Sequence, residues 1–173
     1  MARHFHVPLQ SGSRRILREM RRPYQPAYYL DLVHSVREKL KNAAIAADVM
    51  IGFPGETDDE FMETHRLIEN APLTYLHIFP YSARPGTPAA ELEPQVPVRV
   101  AQFRAKALRR LIDRKNEMFR QTLIGQALEV LVLQPEDALS TNFIRVRVPQ
   151  QLPVNEWTSV KVTGLEERGL QDT

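Results

Sequence analysis

The sequence predicts an α/β fold with a parallel sheet, followed by a small all-β module. Three observations predict it. Strand-like runs at 4–10, 44–53 and 74–82 are separated by segments of helical spacing, an alternation that requires parallel pairing through right-handed crossovers. "AIAADVMIGF" is apolar almost throughout, as a strand covered on both faces is. After Gly125 the pattern changes. "QALEVLVL", "NFIRVRV" and "WTSVKVTGL" show period-two features with no helix between them, which fits a small barrel or sandwich. The expected units are therefore 1–124 and 125–173.

Each element follows in order. "HFHVPLQ" reads as a strand broken by "SGS", "RRILREM" as a short helix, and "RRPYQP" as a linker. Pro26 suits the first turn of the next helix, in which Leu30, Val33, Val36 and Leu40 recur at helical spacing. "AIAADVMIGF" is the second strand. Thr57 opens Thr-Asp-Asp-Glu, a capping box completed by Glu60. The helix it starts is expected to present Phe61, Met62, His65 and Ile68 on one face, with Asp58, Asp59 and Glu60 favouring the helix dipole. "TYLHIFPYS" is the third strand and "ARPGTPAAELEPQVP" a proline-rich loop. A long basic helix follows over about 98–122, with Val100, Phe103, Ala107, Leu111, Met118 and Phe119 as its apolar positions. Helices are expected on one face of the sheet, and about five antiparallel strands in the second unit. A parallel sheet of three strands is incomplete, and its open edge invites self-association.

Composition sets bounds. The 173 residues are 43% hydrophobic and 25% charged, ordinary for a globular protein. No run of 18 apolar residues exists, so no membrane partner is expected. "MARHFHVPLQ" has no apolar core of a signal peptide, and a cytoplasmic setting is the expectation. There is no cysteine, which excludes disulfides, thiolate-bound zinc and iron–sulfur ligation by this chain. Net charge is only +2, but its distribution is uneven. Arg3, Arg14, Arg15, Arg18, Arg21 and Arg22 stand against Glu19 alone, and eight Lys/Arg at 99–120 stand against Asp113 and Glu117. Such clusters suit polyanion contact or a solvated helix face.

The three strands share a further feature. Each ends in small or polar residues: Gln10, Ser11, Gly12 and Ser13 after the first, Gly52, Phe53, Pro54, Gly55 and Glu56 after the second, Tyr81 and Ser82 after the third. In parallel α/β folds ligands gather at these C-terminal strand ends. The second is not a nucleotide-phosphate loop, because no Gly-Lys-Ser/Thr follows. His4 and His6 share one strand face, but His6 reads as an ordinary histidine, His65 and His77 receive no role, and no metal site is assigned.

"HVPLQSGS", "MRRPY", "DVMIGFPGET" and "FPYSARPGTPA" together resemble the later half of the radical S-adenosylmethionine (SAM) barrel of the tRNA methylthiotransferases. "STNFIRVRV" and "VKVTGLEERGL" resemble the TRAM module at that family's C-terminus, a small RNA-binding β-barrel. The likeness covers nearly the whole chain in the correct order and looks closest to the branch acting on threonylcarbamoyladenosine. The isopentenyladenosine branch follows and the ribosomal-protein branch is more distant. The family's three-cysteine SAM-cleaving [4Fe–4S] motif and its second cluster's cysteines are absent. The chain therefore reads as a C-terminal part of such an enzyme, a partial (βα) radical-SAM barrel followed by a TRAM barrel.

What the resemblance implies can be placed residue by residue. Gln10, Ser11, Gly12 and Ser13 would lie beside SAM, Gly52, Phe53, Pro54, Gly55 and Glu56 would approach its other side, and Tyr81 and Ser82 would close the pocket. Arg22 and Arg84 are candidates for bidentate contact with a carboxylate or phosphate. Asn142, Phe143, Arg145, Arg147 and Lys161 mix aromatic and basic residues on strands, a composition suited to RNA. The implied reaction is transfer of sulfur and a methyl group to C2 of a modified adenosine at tRNA position 37, with SAM and [4Fe–4S] clusters as cofactors of the longer enzyme and none expected on this chain. With no cluster cysteines the chain alone is expected to be inactive. Two other readings stand beside it: a tRNA-binding module without catalysis, and an unrelated α/β protein whose rim binds a phosphate sugar.

Overall fold

The computed structural model describes residues 3–166 and 169–172. Three parallel strands, β1 (His4–His6), β2 (Ala44–Ile51) and β3 (Tyr75–Pro80), form one sheet in the order β1-β2-β3. Between them lie α1 (Arg14–Glu19), α2 (Pro26–Lys39, with proline in its first turn) and α3 (Asp58–Asn70). The capping box forms as the sequence indicates: the Glu60 N–H donates to the Thr57 hydroxyl, and the Glu60 carboxylate accepts from the Thr57 N–H. After a helical turn at Pro88–Glu91, α4 (Val98–Gln121) runs back along the sheet.

Alternation along β2 explains the layering. Ile45, Ala47, Val49 and Ile51 enter an apolar core shared with Tyr29 and Val33 of α2, Phe61, Leu67 and Ile68 of α3, and Leu108, Leu111 and Ile112 of α4. Each fully buried side chain of this size contributes about 1.5–3 kcal/mol. Helices thus cover one face. The other face carries Ala44 and Ala46, both fully buried, with Asp48 and Met50. The sheet does not close into a barrel.

Some expected faces are corrected. Met62 faces solvent while Thr64 and Leu67 are buried. On α4, Phe103 and Met118 are exposed and the buried stripe is Ala101, Arg104, Ala105, Leu108, Leu111 and Ile112. Ala101 Cβ lies 2.9 Å from where a Cβ on Gly52 would sit, so a small residue forms that contact, and Phe103, two positions on, falls on the opposite side of the helix.

The second sheet has six strands: β4 (Ala127–Gln134), β5 (Asp137–Ser140), β6 (Arg145–Arg147), β7 (Trp157–Lys161), β8 (Gly164–Glu166) and β9 (Gly169–Gln171), ordered β7-β4-β5-β6-β9-β8. Pairing is antiparallel except between β6 and β9. Only Val162 and Thr163 separate β7 from β8, so one bent stretch pairs with β4 at its start and β9 at its end. The sheet wraps a second apolar cluster that includes Val130, Val132, Ile144, Val146, Val160 and Leu170.

The two sheets are docked. The Arg3 N–H donates to the Thr141 carbonyl, Asn142 Nδ2 to the Asn42 carbonyl, and the Tyr75 hydroxyl to the Phe143 carbonyl. From α4, Arg120 Nη1 donates to the carbonyls of Glu166 and Gly169, each at 2.8 Å.

Candidate functional site

The C-terminal ends of the three parallel strands open into a cleft of about 640 Å³. Six of the residues singled out in the sequence line it together: Gln10, Arg22, Phe53, Tyr81, Ser82 and Arg84. Met50 and Phe79, register partners on one sheet face, supply an apolar floor. Phe53 and Tyr81 meet edge to face with centroids 5.6 Å apart. The Tyr81 hydroxyl is shielded from solvent and has no hydrogen-bond partner among the described residues. Gln10 adopts φ 64° where the chain leaves the first strand line, and its N–H is held by the Asp48 carbonyl at 2.7 Å.

The other strand-end residues lie beneath this rim. Ser11, Gly12 and Ser13 are buried. The Gly12 N–H donates to Thr64 Oγ1 at 2.9 Å, and the Ser13 N–H donates to Ser11 Oγ at 3.1 Å. These groups lash the turn to α3 rather than facing the cleft. Pro54 and Glu56 are buried too. The Gly52 N–H and Arg104 Nη1 both donate to Glu56 Oε2, at 2.8 and 2.6 Å, and Arg104 Nη2 reaches Asp58 Oδ1 at 2.7 Å. Burial pushes the Glu56 carboxyl up, while the Gly52 amide and Arg104 guanidinium pull it back. A second guanidinium, Arg15, clamps the same loop through the Gly55 carbonyl at 2.6 Å and through both oxygens of Glu60. The hydrogen bond from Arg15 is the main reason the Glu60 carboxyl is held at about 2. Neither arginine was given a site role in the sequence, where Arg15 stood only in the N-terminal basic cluster. Arg104 did leave a signal, a charged residue in register with Ala101, Ala105 and Leu108 on the buried stripe.

Of the five residues expected to contact RNA on the β module, Asn142 and Phe143 sit at the junction of the two sheets, and Arg145, Arg147 and Lys161 are exposed on strands. Asn142 is 1% exposed and spent on the junction, and Phe143 packs on His4 with centroids 4.7 Å apart. Arg145 is ion-paired with Asp137, and Arg147 with Glu136 and Glu166. Three carboxylates stand against these two guanidiniums and offset their charge. Lys161 is exposed and has no ion pair among the described residues.

The sheet face opposite the helical core brings together residues given no site role. His6 Nε2 lies 2.9 Å from Asp48 Oδ2, His77 stacks on His6 at 5.5 Å, and one polar atom of each falls within 4.8 Å of the others. Burial, then the neighbouring His6 and His77, hold His4 below its ordinary value.

Among the described residues no helix is long and apolar enough to cross a membrane. A family model described as the radical SAM superfamily matches residues 2–68. The chain is 48% identical over 127 residues to the tRNA-2-methylthio-N(6)-dimethylallyladenosine synthase of Corynebacterium efficiens, covering 73% of this chain and 24% of that protein. It is 39% identical over 165 residues to the threonylcarbamoyladenosine tRNA methylthiotransferase of Rickettsia prowazekii, covering 95% and 39%. A protein of the same name from Aquifex aeolicus is 38% identical over 147 residues, covering 85% and 36%. The chain thus spans between about a quarter and two fifths of the length of these relatives.

Proposed function

We propose, from the premise that this chain belongs by sequence with the radical SAM tRNA methylthiotransferases, that its cleft forms part of the SAM and substrate pocket of an enzyme methylthiolating C2 of a modified adenosine at tRNA position 37. The observation that carries this is the convergence of Gln10, Arg22, Phe53, Tyr81, Ser82 and Arg84 in one cleft at parallel strand ends, where such folds bind ligands. In the threonylcarbamoyladenosine enzyme's favour, an alignment over 165 residues takes in most of the second sheet. The dimethylallyladenosine enzyme is the runner-up, with higher identity over a shorter stretch.

The cleft fits SAM. Phe53 and Tyr81 offer an aromatic wall, the partnerless Tyr81 hydroxyl a polar contact, and Arg22 and Arg84 guanidiniums for a carboxylate. Bound SAM supplies the methyl group and the adenosyl group for the reaction. This chain's residues bind and orient it, while the Arg15 and Arg104 clamps keep the Gly52–Glu56 loop fixed as one wall. An iron–sulfur cluster does not fit, since no cysteine is present to ligate it, and no step of the reaction is assigned to it here. The 173-residue chain by itself therefore suits RNA binding without catalysis. We further propose that 125–173 works as a TRAM-like module, that the exposed β1 edge supports self-association, and that the setting is cytoplasmic.

Calorimetric titration with SAM tests the reading. Weak binding is expected, reduced at least about tenfold by Tyr81→Ala combined with Arg84→Ala, equal to about 1.4 kcal/mol. With iron, sulfide and reductant added, no 5′-deoxyadenosine should form. Binding untouched by the double change, or 5′-deoxyadenosine from this chain, would overturn it.

A further inference from the structure

We propose that Arg14, Arg18, Arg21 and Arg22 form a phosphodiester-binding cleft that holds an RNA backbone beside the strand-end pocket. The inference rests on the tRNA reading above and moves the main RNA contact away from the β module. These arginines, with Arg15, Pro23, Tyr24 and Gln25, line a concavity of about 710 Å³ that no carboxylate lines. Arg15 is committed to Glu60 and Gly55. The other four make no ion pair or hydrogen bond through their guanidiniums among the described residues. Four guanidiniums in one concavity, with Glu19 at its border with the strand-end pocket, focus a field that attracts a polyanion.

The cleft is preorganised. Arg21 sits at φ 55°, a backbone state that costs a non-glycine residue about 1 kcal/mol or more and persists only where its surroundings enforce it. Here the Arg21 N–H donates to the Arg18 carbonyl at 2.9 Å and the Arg22 N–H to the Leu17 carbonyl at 2.8 Å. The Tyr24 hydroxyl, donating to the Leu9 carbonyl at 2.9 Å, pins the following loop to the first strand's end. The turn at Arg21 and Arg22 also lines the strand-end pocket, so the two concavities are contiguous. A chain of phosphates over α1 thereby leads an attached base toward Gln10 and Tyr81. On the β module, by contrast, Arg145 and Arg147 already face Glu136, Asp137 and Glu166.

The test uses the whole chain and fluorescence anisotropy of a labelled single-stranded RNA of about twelve nucleotides. Four neutralised phosphates on a single strand give a log–log salt slope of about −3. Arg14→Gln with Arg18→Gln, both on the solvent side of α1, should weaken binding at least about tenfold and flatten the slope by about 1.4. Glutamine keeps helix propensity close to that of arginine, so the fold should persist, as circular dichroism would verify. Arg145→Gln with Arg147→Gln should change affinity less than about twofold. The proposal fails if the α1 pair leaves slope and affinity intact, if the β6 pair removes them, or if inorganic polyphosphate of matched charge competes as well as RNA does. RNA binding lost through α1 while SAM binding fails would sink the SAM reading and leave this one standing.

Discussion

Arg104 holds the strand-end loop together by three contacts at once. Its guanidinium meets the Glu56 carboxylate, the Glu56 carbonyl and Asp58, and lies 5.4 Å over the Phe61 ring. Its side chain is 4% exposed and that of Glu56 only 1%, so removing one partner strands the other charge in the core. Arg104→Ala should therefore lower unfolding free energy by about 3–5 kcal/mol. Arg104→Lys should recover only part, because a single ammonium cannot reproduce the fork that reaches both acids. Urea denaturation of the three proteins checks this, and an alanine variant within 1 kcal/mol of the parent would refute it. Sequence reading could place the Gly-Phe-Pro-Gly-Glu turn but not its anchor, since Arg104 lies 48 positions from Glu56 and nothing local marks the pair. Arg145 and Arg147 show the opposite case: their period-two spacing was legible, their acidic neighbours were not.

At the scale of elements, punctuation and capping were legible and packing faces were less so. Pro26, the Thr57 capping box and the span of α4 follow from local rules and were placed closely. The β4–β5 hairpin was hidden because Glu136, not glycine or asparagine, occupies its left-handed turn position at φ 64°. The turn after the first strand shows how close packing selects residues. A Cβ on Gly12 would sit 2.5 Å from Thr64 Cα and 2.9 Å from its nitrogen, both backbone atoms that cannot rotate aside. Gly55 is different: a Cβ there meets only Arg15 nitrogens at 3.7 and 3.8 Å, so backbone conformation, not space, restricts it. Gly12→Ala should push α3 from the sheet at a cost of about 1–3 kcal/mol or more and break the Gly12–Thr64 hydrogen bond. A melting temperature unchanged from the parent would show that the turn can yield.

At the scale of the molecule, the change from helix-interrupted to uninterrupted strands correctly anticipated two sheets, while their docking was not legible. The contacts that join them link residues up to 138 positions apart, Arg3 to Thr141 among them, and no pattern in either segment advertises the other. Asn142 is central: its side chain accepts from the Ser140 hydroxyl and donates to the Asn42 carbonyl across the junction. Phe119 in the last turn of α4 packs against the second core while Leu108 and Ile112 belong to the first, so the helix physically spans both. Buried polar links of this kind transmit opening from one core to the other, because breaking them leaves unsatisfied groups behind. The slowest-exchanging amides of β2 and of β4 should accordingly share one opening free energy, as expected for a single cooperative unit. Asn142→Ala should lower protection in β4, β5 and β7 by about 1–3 kcal/mol and leave β2 closer to its original value, separating the two. Native-state hydrogen exchange resolved by peptide makes the comparison. If the second sheet of the parent already opens alone at lower cost, and Asn142→Ala leaves that gap unchanged, the junction does not couple the cores.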